Sequence, residues 1–339
     1  MRGALRPTRL VALVVLAAGL LAAVLWLIPS GHYLLLPDPA RPVDPLVRVP
    51  GEKEGEASRG NGIYFVAVIE RRASVLERLF PGLREGSTLI PAGAISPPGV
   101  DDAARRQGDL REMKRSQSIA AAVALKALGY KVVARPTGVL VTGVFDGTPA
   151  VGKLQPTDIV VSVNGRPVRT PGDLRRLLGR RRPGDRVRLG VRRGKELREV
   201  VVKTAADPAD ATHAIIGIQI GQAADIRLPL AVTIDAGGVG GPSAGLAFAL
   251  DVMEELGRDV DRGYRVAATG AIDLHGNVGQ IGGVRQKTYG VREADVDIFL
   301  VPAGKNATEA RRHAGGVRVI AVKTFPQALR ALATLPPKA

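Results

Sequence analysis

The chain contains no cysteine. That absence excludes a disulfide framework, a thiolate nucleophile and any Cys-ligated metal. Histidine is nearly as scarce: His32, His213, His275 and His313 stand far apart, and none shows the His-Glu-x-x-His spacing of a zincin. No metal and no other cofactor is expected. Aromatic residues make up 4% of the chain, too few to supply base-stacking platforms, so no nucleic-acid partner is expected either. Aliphatic material is what the chain has in quantity. It is 45% hydrophobic over 339 residues, enough to bury a sizeable core and to fill about two domains.

Arg2, Arg6 and Arg9 precede an uncharged run from Leu10 to Pro29. About 20 apolar residues at roughly 1.5 Å each match a bilayer core of ~30 Å, and the arginines should stay on the cytoplasmic side. The expectation is a basic cytoplasmic tail over 1–9, a single transmembrane helix over 10–29, and all later residues outside the cytoplasm. A cleaved signal peptide would give the later residues the same location, but no good Ala-x-Ala site follows the run. Residues 30–58, with Pro37, Pro39, Pro42, Pro45 and Pro50 and then Gly-Glu-Lys-Glu-Gly-Glu, read as an extended spacer.

Residues 59–135 open on Ile63-Tyr-Phe-Val-Ala-Val-Ile69, a buried strand, with helices expected over Ser74–Phe80 and Met113–Leu128 and no clear structure over Gly82–Arg106. This strand is expected to join the sheet of the last domain. From Gly138 to Val144 the chain runs into Asp146-Gly-Thr-Pro-Ala150. Leu154-Gln-Pro-Thr-Asp-Ile-Val-Val-Ser-Val-Asn-Gly165, a helix over Pro171–Leu178 and a strand pair over Arg186–Val191 and Glu199–Lys203 come next. Residues 136–205 in this order resemble a bacterial PDZ domain. The resemblance implies that Gly138, Val139, Leu140 and Val141 form the loop whose N–H groups receive a peptide carboxylate, beside a strand edge that pairs with an extended peptide.

Gly147-Thr-Pro-Ala-Val-Gly-Lys153 matches seven positions of a phosphate-binding loop, but the eighth, which must carry a hydroxyl for Mg²⁺, is Leu154. Nucleotide binding is not expected. Residues 166–198 hold thirteen Lys/Arg against three Asp/Glu, much of the chain's net +16. This basic surface either contacts anionic lipid headgroups or is simply solvated.

Residues 206–339 carry the chemistry. A glycine-rich turn from Asp235 to Pro242 delivers Ser243 to the start of an amphipathic helix over Ala244–Leu256. Lys287 follows Gly282-Gly283 at the start of another helix. A serine hydroxyl becomes a nucleophile when a base takes its proton, and a neutral lysine can be that base. Tyr264–Thr269, Ile298–Val301 and Val317–Val322 read as strands alternating with helices, an α/β unit.

Three motifs in order, Gly241-Pro-Ser243-Ala-Gly245, Ala268-Thr269-Gly270 and Gly276-x-Val278-x-x-Ile281-Gly-Gly-Val284-x-x-Lys287, resemble the proteolytic domain of Lon proteases over about Leu228–Leu332. The resemblance implies a serine endopeptidase with Ser243 as nucleophile, Lys287 as base and Thr269 beside the amine. It further implies a ring-forming homo-oligomer, a hexamer, acting on protein or peptide substrates. With the anchor and the PDZ unit, the whole chain resembles the bacterial membrane-anchored PDZ–Lon peptidases: an α/β (α+β) Lon-type domain, a β-rich PDZ domain and one amino-terminal membrane helix. The family's ATPase module is missing, so ATP-driven unfolding is not expected. Gly240 and Ala271 stand where Lon proteins often carry Asp and Glu. Two other readings fit parts of the chain. Gly-x-Ser-x-Gly is also the α/β-hydrolase nucleophile elbow, with Asp295 and His313 as nominal partners, and the Lon-like domain could serve as a scaffold for a peptide-binding adaptor.

Overall fold

The computed structural model describes residues 7–51, 61–95, 102–208 and 210–338. Arg2, Arg6 and the Glu/Lys run after Gly51 lie outside the described residues. Helix α1 (Pro7–Leu27) hands over at once to strand β1 (Pro29–Pro37). Then come β2 (Gly62–Phe65), β3 (Val68–Ser74), α2 (Val75–Leu79), β4 (Thr88–Pro91), α3 (Ala92–Ile95) and the 26-residue α4 (Asp102–Ala127). The middle of the chain forms β5 (Val133–Val144), β6 (Ile159–Val163), α5 (Pro171–Leu178), β7 (Arg186–Arg193), β8 (Glu196–Lys203) and β9 (Ile218–Arg227). The last part alternates α6 (Gly245–Glu255), β10 (Arg265–Ala268), α7 (Val284–Glu293), β11 (Ile298–Pro302), α8 (Lys305–His313), β12 (Arg318–Val322) and α9 (Phe325–Ala333).

Three of these elements depart from the sequence reading. Residues 30–58 are not a free spacer. β1 runs between β3 and β4 in an antiparallel sheet, Arg41–Pro42 pairs with β2, and Val47–Arg48 pairs with Thr233–Ile234. Of the prolines that suggested a spacer, Pro37 ends β1 and Pro42 ends the short strand Arg41–Pro42, where a missing N–H costs the ladder little. The helix expected from Met113 starts at Asp102, and Gly82–Arg106, expected to be irregular, contributes β4, α3 and the start of α4. Among the described residues no helix is long and apolar enough to cross a membrane. The part of α1 with described side chains, from Val11 to Leu27, rises roughly 25 Å against a core of ~30 Å, and the chain then turns into β1.

Helix starts follow local chemistry. Ser74 and Glu77 form a reciprocal capping box at α2, and Thr170 and Asp173 form one at α5, where Pro171 is preset for the first turn. Thr324 caps α9.

The carboxyl-terminal half is built on a five-stranded sheet in the order Arg41–Pro42, β2, β10, β11, β12. All neighbours in it are parallel except the first pair. One face buries Phe65, Leu246, Phe248, Leu250 and Phe325 under α6 and α9; the other buries Ala267, Phe299 and Val301 under α7 and α8. The middle segment closes its own core around Val139, Val160, Leu174, Leu189 and Val202. Its sheet runs β8-β7-β6-β5-β9, so β9 belongs to this sheet although the sequence reading assigned its residues to the carboxyl-terminal domain.

Candidate active site

The site forms at the carboxyl end of β10, where α6 and α7 both begin. Ser243 precedes α6 in a turn in which Gly241 takes φ +81°, a left-handed conformation that favours glycine. Behind Ser243 the chain is pinned by the turn after β10: Gly270 N–H donates to the Ser243 carbonyl at 2.7 Å, and Thr269 Oγ1 donates to the same oxygen at 3.1 Å. Lys287 lies in the first turn of α7, which starts after Gly283 at φ +67°, and its own N–H donates to Gly283 O. A Cβ on Gly283 would stand 2.8 Å from Val68, so α7 can seat this close to β3 only with glycine there.

The structure brings Ser243, Lys287 and Thr269 together. Lys287 Nζ lies 2.6 Å from Ser243 Oγ and 3.1 Å from Thr269 Oγ1. Thr269 is fully buried and Lys287 is 3% exposed. Burial penalises the ammonium form and lowers the Lys287 pKa from 10.5 to about 7. At neutral pH much of this amine is therefore free to accept a proton, and the oxygen that holds the nearest proton is Ser243 Oγ.

Ser243 and Lys287 open on a cavity of about 980 Å³. Its walls include Gly240 to Ala244 and Gln280 to Gly283, and α4 contributes Arg105, Asp109 and Glu112. Gln155 to Thr157, from the loop before β6, reach the same cavity, so the middle domain stands at its mouth. Burial pushes the Glu112 carboxyl up to about 7. Sequence reasoning missed the wall formed by Asp109 and Glu112, because nothing in the spacing of α4 links it to residues more than a hundred positions away. Neither Asp295 nor His313 lines this cavity; the His313 ring packs 5.7 Å from Tyr289 on the far side of α7.

The expected carboxylate loop is not a loop. Gly138, Val139, Leu140 and Val141 lie inside β5, paired with β6 on one side and β9 on the other, and Val139 and Val141 are fully buried. Val141 N–H donates to Asp158 O at 2.8 Å, so its amide is already used. β8 and β9 are the two terminal strands of this sheet, and α5 packs beside β9. β9 is entered through Ile215-Ile216-Gly217, where Gly217 takes φ +79° against Thr148. An apolar-Gly-apolar run leading into a strand was the available signal.

Leu154, the residue that breaks the phosphate-loop pattern, is buried in the middle core. Glu254, Asp259 and Asp261 bring carboxylate oxygens within 4.8 Å of one another at the far end of α6. Glu254 Oε1 there already accepts the N–H groups of Val260 and Asp261.

Residues 126–204 match the PDZ domain family, and residues 209–324 match the Lon protease (S16) C-terminal proteolytic domain. Lon protease 2 of Bacillus subtilis is 32% identical over 112 residues, 33% of this chain and 19% of that protein. A probable periplasmic serine endoprotease, DegP-like, of Hahella chejuensis is 38% identical over 92 residues, 26% of this chain and 19% of that protein. Among solved structures, the PDZ domain of the SdrC-like protein of Listeria monocytogenes is 24% identical. It covers 25% of this chain and 87% of that one, with a TM-score of 0.23. The matched segments span about a fifth of the length of the two curated relatives. The chain thus carries a PDZ domain followed by a Lon-type serine protease domain.

Proposed function

We propose that the chain is an ATP-independent serine endopeptidase whose nucleophile is Ser243 and whose general base is Lys287. The observation that carries this reading is the 2.6 Å approach of a buried amine, lowered to about 7, to a serine hydroxyl at the wall of a cavity. A structural lysine has no need of such a place. Burying an amine at this depth without an acidic partner destabilises the protein, and it persists where the neutral form has work to do.

The reaction is acyl transfer. Neutral Lys287 takes the proton as Ser243 Oγ attacks the scissile carbonyl, and the tetrahedral intermediate collapses with the C–N bond broken. Lys287 returns the proton to the leaving amine, leaving an acyl-serine. A water then attacks the ester carbonyl, Lys287 takes its proton, and Ser243 Oγ leaves and is reprotonated from the lysine. Thr269 holds the amine between its own Oγ1 and Ser243 Oγ.

The PDZ unit supports peptide handling. β9, a terminal strand of its sheet, offers an edge to which an extended peptide can add, with α5 alongside. The uncharged run after Arg9 and the exposed Val11, Leu13, Leu16 and Leu20 of α1 support attachment to a membrane, with the catalytic body outside the cytoplasm. Hydrolysis of a peptide library without nucleotide by the wild type, alongside Ser243→Ala and Lys287→Ala, tests the activity. Both variants should be inactive, and an active Lys287→Ala protein would end the Ser–Lys reading.

A further inference from the structure

The turn that carries Ser243 is gripped from outside the carboxyl-terminal domain, by α4. Ser116 is 3% exposed, and its Oγ donates to the Pro242 carbonyl at 3.0 Å. Two turns earlier on the helix, the Asp109 carbonyl accepts the Gly241 N–H at 2.9 Å, and Arg106 Nη2 donates to Gly238 O at 3.1 Å. The seating is close enough to dictate side chains. A Cβ on Gly240 would stand 2.7 Å from the Asp109 Cβ, and one on Gly245 would stand 2.7 Å from Ser116 Oγ. Two glycines flanking the nucleophile thus leave room for one helix.

The α6 start shows why such a grip matters. Its N-cap, Ala244, has no side-chain cap, and within the turn the Pro242 carbonyl accepts the Gly245 N–H at a long 3.2 Å. The peptide between Pro242 and Ser243 is planar and trans. Tying its carbonyl to Ser116 therefore also fixes the direction of the Ser243 N–H, which points the opposite way within that plane. On the other side of Cα the Ser243 carbonyl is held by Gly270 and Thr269, so with both peptides tied the Cα–Cβ vector that carries Oγ toward Lys287 is fixed as well.

We propose that Ser116 is a positioning residue for Ser243: its bond to the Pro242 carbonyl locks the orientation of the nucleophile and of its N–H. The inference rests on the Ser243–Lys287 reading. It predicts an effect on the chemical step alone, since Ser116 stands behind the turn and its hydroxyl is spent on a backbone carbonyl.

The test is covalent labelling of the full chain by a fluorophosphonate probe, with the maximal rate and the half-saturating concentration measured separately across pH. Ser116→Ala should lower the maximal rate about tenfold, the equivalent of one lost hydrogen bond. The half-saturating concentration should stay within about twofold, and the pH midpoint should remain near 7, because the burial that sets Lys287 is untouched. Ser118→Ala, which removes an exposed hydroxyl bonded to Lys114 O on the same helix, should label at the wild-type rate. Gly240→Ala should slow labelling by pushing the turn off α4, and adding Asp109→Gly should restore labelling to the level of the single Asp109→Gly variant, which carries the same change in the cavity wall. This pair keeps the question answerable if Ser116→Ala fails to fold.

Wild-type labelling by Ser116→Ala, a loss shared equally by Ser118→Ala, or no rescue in the double variant would each overturn the positioning role. A wild-type protein that never labels at Ser243 would overturn the Ser–Lys reading itself, and this inference with it.

Discussion

Lys287 Nζ stands 2.6 Å from Ser243 Oγ although 44 residues separate the two in the chain. They meet because α6 and α7 both begin at the carboxyl end of β10, the place where parallel sheets with crossover helices gather their ligand sites. Thr269, the first residue beyond β10, completes the group from the strand itself.

Thr269→Val keeps the shape of a fully buried side chain and removes only the hydroxyl that bonds the Ser243 carbonyl and the Lys287 amine. Turnover of a peptide substrate should fall about tenfold to a hundredfold with little change in KM, since the lost contacts hold the reacting groups and not the substrate. A change in KM alone would show that Thr269 acts on binding.

Lys287 should make the fold depend on pH in a defined direction. Its folded pKa, about 7, lies below its unfolded value near 10.5, so between these values the unfolded chain binds more protons and stability rises with pH. Below about pH 7 the buried amine destabilises the fold by roughly 5 kcal/mol, and the deficit fades toward pH 10.5. Lys287→Met should therefore be more stable than wild type at pH 6, with a gap in denaturant midpoint that narrows steadily by pH 9. A gap that stays constant across this range would mean that Lys287 is not depressed.

In the PDZ unit, Asp158 is fully buried and accepts two hydrogen bonds from Arg193, each 2.7 Å. Removing one partner of such a pair leaves a charge in the core. Arg193→Met should cost about 3 kcal/mol, read as an early melting of the PDZ core, while Ser243 labelling at low temperature stays near wild type. An unchanged melting temperature would show that the pair contributes little.

The meeting of Ser243, Thr269 and Lys287 was legible because each lies in a short motif. Gly-Pro-Ser-Ala-Gly places the serine before a helix, and Gly-Gly-Val-x-x-Lys places the lysine in the first turn of another. The pieces that escaped are long-range. α4 reads as a helix only from Met113 because its first half is rich in charge and contains Gly108, and its hold on residues 238–245 leaves no local trace. Gly138 reads as a loop glycine, but it is glycine because a Cβ there would stand 2.6 Å from Ile159 in the neighbouring strand. β9 turns back to the PDZ sheet, and the one local sign of this is the short apolar-Gly-apolar run Ile216-Gly217-Ile218. β1 ends on Pro37, which reads as spacer composition until the pairing with β3 and β4 is seen.

The most direct test is the pH profile of peptide hydrolysis by the full chain without nucleotide, from pH 5 to 10. Activity should rise with pH through a midpoint near 7, as the buried Lys287 amine loses its proton, and should be absent at every pH in Ser243→Ala and Lys287→Ala. The same rising limb surviving in Lys287→Ala would contradict the account, because another group would then be the base.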